Sequence, residues 1–249
     1  FLTGSSKNNS NFTNNPNFQF IYQDVINPIN IFANRIWHLA SPASPKEYQK
    51  DPLLTSKINF LGTLNMLELA RKYDSKIIFT STSEIYGKST GDEQDEFNNG
   101  ILDTSNERSC YFESKRIAES LIFDFIRLYK IDAKVARIFN AYGPYMSKSD
   151  GRVVSNFIYQ GLTRQNLTIA GDGLQTRTFC YISDIVDGLF KFMDADISGP
   201  INLGSINEIE IGELAELICK KLNISNNFTF YNVSKSEPFK RKPSILLAK

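Results

Sequence analysis

The sequence predicts an α/β fold in which a doubly wound, mostly parallel sheet is joined to a smaller lobe. Three short apolar runs, residues 35–40, 76–80 and 134–139, have the length of buried strands. Two long stretches with helical periodicity, residues 52–73 and 109–129, alternate with them. Strands that alternate with long helices form β-α-β units, and such units build parallel sheets.

The N-terminal region adds a loop and one further strand to this prediction. Residues 1–16 are rich in Asn, Ser, Thr and Gly, so we expect an exposed, flexible loop there. Residues 18–22 form an apolar run that ends at Asp24 and is expected to be a strand. In the helix that follows the next strand, Ile58 and Leu61 begin a series of apolar residues at helical spacing.

The C-terminal half is expected to supply the smaller lobe. From Gly143 onward, glycine-rich loops separate short elements, and residues 212–222 have the periodicity of an amphipathic helix. The apolar run 200–203 is expected to return to the sheet. The predicted larger domain is residues 1–142 with 177–204 returning to it, and the predicted lobe is residues 143–176 and 205–249.

Composition is that of an ordinary globular protein. The 249 residues are 41% hydrophobic, which is enough for a sizeable core. The 28 basic and 27 acidic residues leave a formal charge of +1, so composition gives no reason to expect binding to nucleic acid. No apolar run approaches the roughly 20 residues of a membrane span, so no membrane contact is expected within this chain.

The cysteines predict neither a disulfide framework nor a metal centre. Cys110, Cys180 and Cys219 are odd in number and far apart in the sequence. We therefore expect no metal, and reduced thiols in a reducing compartment.

A tyrosine and a lysine stand four residues apart near the start of the second long helix. This spacing places Tyr111 and Lys115 on one face of the helix, one turn apart. A positive charge at Lys115 favours the phenolate form of Tyr111, and a phenolate is a base that can take a proton from a sugar alcohol. The same spacing also arises by chance, as an aromatic ring under a lysine stem, so the neighbouring residues must decide.

A cluster of hydroxyl side chains supports the catalytic interpretation. Ser81, Thr82 and Ser83 follow the strand 76–80 directly. In open α/β sheets, ligands bind at the carboxyl ends of the strands. The cluster and the Tyr111–Lys115 pair together indicate a hydride-transfer site.

The glycine turn typical of dinucleotide-binding sheets does not occur in this sequence. That turn, with the pattern Gly-x-x-Gly-x-x-Gly, follows the first strand and places backbone donors under a pyrophosphate. We therefore expect the first β-α-β unit to be absent from this chain, and the chain by itself to bind a dinucleotide weakly or not at all.

Eight stretches carry a resemblance to a known family: residues 38–45 (HLASPASP), 62–67 (GTLNML), 81–84 (STSE), 107–111 (ERSCY), 136–140 (ARIFN), 150–157 (DGRVVSNF), 175–177 (QTR) and 240–243 (KRKP). Through them the sequence resembles the extended short-chain dehydrogenase/reductase family of NAD-dependent epimerases and dehydratases, and most closely its UDP-glucuronate decarboxylases, or UDP-xylose synthases. The resemblance implies a Rossmann-like, NAD-binding larger domain and a lobe that binds a nucleotide-sugar.

The resemblance implies NAD-dependent decarboxylation of UDP-glucuronate to UDP-xylose through a UDP-4-keto intermediate. Tyr111 would take the proton of the sugar C4 hydroxyl. Lys115 would tune the tyrosine and hold the nicotinamide ribose. Thr82 would hydrogen-bond the same hydroxyl.

Three further positions bear on which reaction is catalysed. Glu84 and Arg177 would manage the carboxylate and the protonation at C5, and a plain ion pair between them is the alternative. Ser83 stands where 4,6-dehydratases carry an acid, and 4-epimerases usually lack a glutamate at the position of Glu84. Both positions favour decarboxylation.

The resemblance also assigns residues to the cofactor and the substrate. Amide and basic side chains suit a diphosphate. The expected NAD contacts are Thr3, Asp24, Val25, Leu39, Ser41, Ser81, Tyr111 and Lys115. The expected substrate contacts are Lys57, Asn65, Asn140, Arg152 and Arg241.

Partners, location and alternatives follow from the same resemblance. We expect a UDP-sugar as the substrate, a homodimer formed through a four-helix interface, and a cytoplasmic location, or the Golgi lumen if an upstream anchor exists. The alternatives are another nucleotide-sugar 4-epimerase or 4,6-dehydratase, and a truncated, inactive paralogue that acts only as a dimerisation partner. The preference between UDP-glucuronate and UDP-galacturonate is left open.

Overall fold

Strands and helices alternate along the chain, as the sequence predicts. The computed structural model describes residues 4–87, 93–148, 150–232 and 240–249. The elements of the first part are β1 (Arg35–His38), α1 (Pro45–Tyr48), α2 (Pro52–Tyr73), β2 (Lys76–Thr82), α3 (Ser109–Tyr129) and β3 (Ala133–Ile138). They are followed by β4 (Ala141–Tyr142), α4 (Val153–Leu162), β5 (Leu167–Ala170), β6 (Thr176–Thr178), β7 (Cys180–Tyr181), α5 (Ile182–Met193), β8 (Ile201–Leu203), β9 (Glu208–Glu210), α6 (Ile211–Leu222), β10 (Phe228–Tyr231) and β11 (Lys240–Arg241).

The main sheet has four strands in the order β1, β2, β3, β8. β1 pairs in parallel with β2, with Arg35 opposite Lys76, and β3 pairs in parallel with β8, with Ala136 opposite Ile201. The predicted return of the run near residue 201 to the sheet is therefore confirmed. The predicted α/β class with a parallel sheet is confirmed as well.

The chain divides into two compact units. The first unit is Phe1–Phe79 with Glu107–Ala133, and the second is Thr80–Asn106 with Lys134–Lys249. The domain boundaries that we derived from the sequence stay a prediction.

The first unit is organised by the two long helices, whose predicted bounds the structure reproduces. Asp51 is the N-cap of α2, and its carboxylate accepts a hydrogen bond from the Leu54 amide at 2.9 Å. α2 and α3 pack against each other, and the Asn59 amide donates to the Ser114 hydroxyl at 2.8 Å between them. This packing fixes the helix face that carries Tyr111 and Lys115.

The second unit has its own apolar core under α4 and α6. Phe157 of α4, Leu167 of β5 and Ala215 of α6 are all buried in it. The predicted helix 212–222 is found as α6, which begins one residue earlier with a capping box between Glu210 and Glu213.

Two predictions for the N-terminal region are wrong. Residues 18–22 do not form a strand, because no described strand lies beside them to complete the backbone hydrogen bonds that a strand needs. The first 16 residues are not an unstructured loop throughout. A 3-10 helix, Ser6–Phe12, forms there, and local side-chain bonds such as Ser10 Oγ to the Lys7 carbonyl at 2.8 Å support it.

Candidate active site

Tyr111 lies in the first turn of α3, where it is buried with 6% of its surface exposed. Its ring stacks on the ring of Tyr48, with parallel planes and a centroid distance of 4.8 Å. Aromatic stacking fixes the plane of a ring as well as its depth. The candidate base is therefore oriented by a second tyrosine in addition to its helix.

Tyr48 and Arg108 are site residues that the sequence reasoning missed. Tyr48 ends α1 and is fully buried, and its hydroxyl accepts a hydrogen bond from Arg108 Nε at 2.6 Å. Arg108 precedes α3 directly, so this bond ties the start of α3 to α1. The one sequence signal nearby was the Ser44-Pro45 pair, which is typical of a helix start and does not indicate the contact of Tyr48 with Tyr111.

Lys115 is buried one turn beyond Tyr111, with 2% of its surface exposed. Its Nζ lies 4.5 Å from the centroid of the Phe79 ring, which is a cation–π distance. Burial lowers the pKa of the Lys115 ammonium to about 7, while the nearby Glu119 carboxylate opposes that shift. The positive charge that the sequence argument assigned to Lys115 is therefore sensitive to pH near neutrality.

His38, at the end of β1, is buried in the same unit. The Thr63 hydroxyl donates to the Asn59 carbonyl at 2.6 Å, so it accepts from His38 Nε2 at 3.0 Å. Burial, with a smaller effect from Lys115, lowers the pKa of His38 to about 3. The imidazole is neutral at physiological pH, and its hydrogen bond joins β1 to α2.

The other predicted contacts in the first unit are placed as follows. The Asp24 carboxylate is exposed and accepts from the Ile26 amide at 3.1 Å. The Val25 carbonyl accepts from the Asn65 side-chain amide at 2.9 Å, so Asn65 fastens this segment to α2. Leu39 and Lys57 are exposed, Ser41 is half-buried, and Thr3 lies outside the described residues.

In the second unit, the hydroxyl cluster forms the end of β2 and the start of a short helix. β2 continues to Thr82, two residues further than predicted, and Ser83–Tyr86 form a 3-10 helix. The Thr82 hydroxyl accepts from the Glu84 amide at 3.2 Å and so caps that helix. Thr82 and Ser83 are buried and Glu84 is half-buried.

Glu84 has a basic neighbour that the sequence reasoning did not pair with it. Its carboxylate lies 3.8 Å from the guanidinium of Arg241, and both side chains are mostly buried. Arg241 on β11 is the register neighbour of Arg177 on β6, because these strands pair in parallel. The predicted partnership of Glu84 with Arg177 in the reaction stays a prediction.

The remaining predicted substrate contacts in the second unit have protein partners. The Asn140 side-chain amide donates to the Thr178 carbonyl at 3.0 Å. Arg152 is exposed, and its guanidinium donates to both carboxylate oxygens of Asp150, with NH2 2.8 Å from Oδ2. These hydrogen bonds hold the side chains of Asn140 and Arg152 in position. Contact of either residue with a substrate stays a prediction.

One observation tests whether the residues fit a dinucleotide. The Ser81 hydroxyl is buried and has no hydrogen-bond partner among the described groups. A buried polar group without a partner costs about 1–3 kcal/mol, which a bound polar ligand would recover. Ser81 is one of the predicted NAD contacts, so this part of the donor set fits the cofactor.

The described residues contain neither the side-chain grouping of a metal centre nor a membrane-spanning helix. In that part of the chain, no three or more His, Cys, Asp or Glu side chains come together in a way that could hold a metal ion. Across the same residues, no helix combines the length and the apolar character needed to cross a bilayer.

Comparison with known proteins shows the family to which the chain belongs. The model of the NAD dependent epimerase/dehydratase family matches residues 5–204. UDP-glucuronic acid decarboxylase 5 of Arabidopsis thaliana is 45% identical over the whole chain, which spans 73% of that protein. UDP-glucuronic acid decarboxylase 1 of Xenopus tropicalis is 41% identical, and the chain spans 59% of it.

Solved structures show the same fold. A dTDP-glucose 4,6-dehydratase from Streptomyces venezuelae superimposes with a TM-score of 0.88 at 18% identity, over 100% of this chain and 77% of the other.

Proposed function

Because the chain belongs to the NAD dependent epimerase/dehydratase family, we propose that it catalyses the NAD-dependent decarboxylation of UDP-glucuronate to UDP-xylose. The observation that carries this proposal is the buried Tyr111–Lys115 pair. It occurs in a chain that is 45% identical, over its whole length, to a UDP-glucuronic acid decarboxylase. Such a pair suits proton removal from a sugar hydroxyl at a carbon that is being oxidised.

Several of the described residues would hold the cofactor. When bound, NAD supplies the hydride acceptor for sugar C4 and later returns the hydride. The residues proposed to contact it are Asp24, Val25, Leu39, Ser41, Ser81, Tyr111 and Lys115.

Tyr111 is proposed to act as the general base at the sugar C4 hydroxyl. Its stack on Tyr48 holds the phenol in one plane, so the oxygen that receives the proton has a defined position. Lys115, one turn away, favours the phenolate whenever its ammonium is charged. Thr82 is proposed to hold the same sugar hydroxyl by a hydrogen bond.

Loss of CO₂ follows from the chemistry of the substrate. A 4-keto-uronate is a β-keto acid, so the C4 ketone accepts the electron pair of the breaking bond as an enolate. We assign Arg177 to the carboxylate before it leaves, because a guanidinium matches a carboxylate in shape and charge. Glu84 is assigned to the proton at C5. Ser83 cannot supply the acid that expelling a hydroxyl would require.

A product analysis tests this function. Incubation of the intact protein with UDP-glucuronate and NAD⁺ is expected to give a UDP-pentose and CO₂, detected by mass spectrometry. Tyr111→Phe is expected to lower the rate by about 10²-fold or more, while Tyr145→Phe, at an exposed site, keeps it.

The same experiment identifies other reactions. A product of unchanged mass that differs only at C4, or one that has lost water, would replace this proposal with an epimerase or a dehydratase. Conversion of UDP-galacturonate in place of UDP-glucuronate would change the assigned substrate.

The long helices are the proposed dimer interface. Leu53 and Leu61 of α2, and Ile117 and Leu128 of α3, expose large apolar side chains, and helix pairs with apolar faces associate into four-helix bundles. Ile117→Asp is expected to convert a dimer into a monomer in light scattering after size exclusion. The same change at Leu217, exposed on α6, is expected to leave the dimer intact.

A cytoplasmic location stays a prediction. Imaging of the tagged intact protein checks it, and a Golgi signal would select the alternative.

A further inference from the structure

Arg241 lies on a strand that neighbouring charges hold in place. Lys240 pairs with Glu208 at 3.5 Å, and Lys242 pairs with Glu93 at 2.7 Å. The Lys242 carbonyl also accepts from the Gln94 amide at 2.8 Å. The backbone that carries Arg241 is therefore fixed on both sides of it.

The guanidinium of Arg241 is not saturated with acceptors. Its Nε is buried and has no hydrogen-bond partner among the described groups. Its contact with Glu84, 3.8 Å between NH1 and Oε1, is an ion pair beyond hydrogen-bond distance. Because a buried, unpaired donor is costly, a better acceptor would displace this contact.

Arg177 adds a second positive charge beside Arg241, so an anion is attracted more strongly to this pair of arginines. Arg177 and Arg241 are register neighbours on parallel strands, and such neighbours project to the same face of a sheet. An anion with several oxygens can accept from a guanidinium in two places at once, whereas the Glu84 carboxylate lies 3.8 Å from Arg241 NH1. A phosphate or diphosphate group fits this requirement.

From this geometry we propose that Glu84 and the anionic part of the substrate compete for Arg241. Binding of the diphosphate to Arg241 displaces the Glu84 carboxylate, which is then released for its role at the sugar. The inference rests on the proposed function, because it takes the substrate to be a nucleotide-sugar. Glu84 then has a second role. Because it contacts Arg241 in the resting enzyme, it makes nucleotide binding weaker than it would be without that contact.

The consequence is a measurable coupling between two residues. Any contact that anion binding must break weakens the binding, so removing the charge of Glu84 should strengthen it. Calorimetric titration of the intact protein with UDP, and separately with inorganic pyrophosphate, measures the effect without any turnover. Glu84→Gln is expected to lower the dissociation constant by about 5-fold, which is the size of one partly buried ion pair.

A double-mutant cycle separates this coupling from a general charge effect. Arg241→Gln is expected to weaken binding of both probes, and in that background Glu84→Gln should no longer strengthen it. The control is Glu216→Gln, which removes the same charge from an exposed position on α6 and should leave both constants unchanged.

The outcomes distinguish this inference from the proposed reaction. An equal gain from Glu84→Gln with and without Arg241, or no gain at all, would overturn the competition even if UDP-glucuronate is decarboxylated. The expected cycle in a protein that does not decarboxylate UDP-glucuronate would support the competition and refute the reaction. No binding of either probe by any variant would overturn the competition.

Discussion

At the scale of single residues, the position of Tyr111 depends on its contact with Tyr48. The spacing of Tyr111 and Lys115 fixes the face of the helix on which they stand. It does not fix the rotation of the phenol, which the parallel stack on Tyr48 sets. The bond from Arg108 to the Tyr48 hydroxyl in turn holds Tyr48. The geometry of the candidate base is thus established by contacts between residues that are 60 or more positions apart.

Replacing Tyr48 should therefore affect catalysis. Tyr48→Leu removes the stack and is expected to lower kcat by about 10–100-fold, because small displacements of a reacting group are costly. Tyr48→Phe keeps the ring but loses the bond from Arg108, so a smaller loss is expected. Steady-state kinetics with UDP-glucuronate measures both, after circular dichroism has confirmed folding. A folded Tyr48→Leu protein with unchanged kcat would contradict the positioning role.

Burial of the charged Lys115 ammonium should destabilise the folded protein. Its pKa is about 7 in the folded state and 10.5 when exposed. Below pH 7 both states are protonated, so the cost of burying the charge is complete. Between about pH 7 and pH 10.5 the unfolded chain binds more protons, so stability rises with pH.

The variant Lys115→Met should therefore unfold at higher urea concentration than the unsubstituted protein. At pH 6 the expected gain is about 2–4 kcal/mol, after allowing for the lost cation–π contact, and at pH 9 it should be smaller. Fluorescence of Trp37, the single tryptophan, follows the unfolding of the same unit.

Lys134→Met is the control, and because Lys134 lies in the second unit, circular dichroism follows the unfolding of this variant. Lys134 is also buried, but its Nζ donates to the carbonyls of Ala195 and Ile197 at 2.7 and 3.2 Å. Its loss leaves these acceptors unpaired, so destabilisation is expected. A loss of stability in both variants at pH 6 would refute the argument for Lys115.

At the scale of elements, the 3-10 helix that carries Glu84 depends on how it ends. The helix ends at Gly87, which has a positive φ of 54°. Residues other than glycine rarely adopt this backbone angle. A Cβ atom at this position would lie 2.0 Å from the carbonyl oxygen of Ile101. Because that atom belongs to the backbone, it has little freedom to move away.

Gly87→Ala should therefore lower the free energy of unfolding by about 2–4 kcal/mol. Gly212→Ala is the control, because its Cβ would meet only the Gly173 carbonyl at 3.5 Å, an ordinary contact. That change should stay within about 0.5 kcal/mol. Urea unfolding followed by circular dichroism measures both, and equal effects would rule out strain at Gly87 as the cause.

The elements also show how far the sequence predicts the structure. α2 and α3 were predicted with their observed ends, because long helices have a strong period and recognisable caps. The strand predicted at residues 18–22 was wrong, because apolar content cannot show whether a neighbouring strand is present.

The same limit applies to the candidate site. The Tyr111–Lys115 pair was found because its spacing is local and helical. The stack of Tyr48 on Tyr111 and the contact of Glu84 with Arg241 join residues far apart in the sequence, and no local pattern encodes them.

At the scale of the whole molecule, a buried polar network organises the second unit. The Asn202 side chain accepts from the Tyr86 hydroxyl at 2.7 Å and donates to the carbonyls of Gln94 and Ser244 at 2.8 and 3.0 Å. Arg137 donates to the Tyr86 hydroxyl at 3.0 Å. Burial raises the pKa of Tyr86 to about 12, although Arg137 opposes the shift, so Tyr86 stays a donor.

Asn202→Ala should destabilise this unit by about 3 kcal/mol, because several buried groups lose a partner together. Asn207→Ala, at an exposed position, should change stability by less than about 0.5 kcal/mol. Hydrogen exchange of the β8 amides reports on this unit directly. If exchange is equally slow in both variants, the network is not what stabilises β8.

The positions of the two units in the chain set an order of events during synthesis on the ribosome. The residues of the first unit have all been added once Ala133 is in the chain, whereas the network needs Ser244. At about 5–20 residues per second, roughly 5 to 20 s separate these two points. The nascent chain can thus bring Tyr111 and Lys115 to their places on α3 well before the strand that bears Arg241 exists.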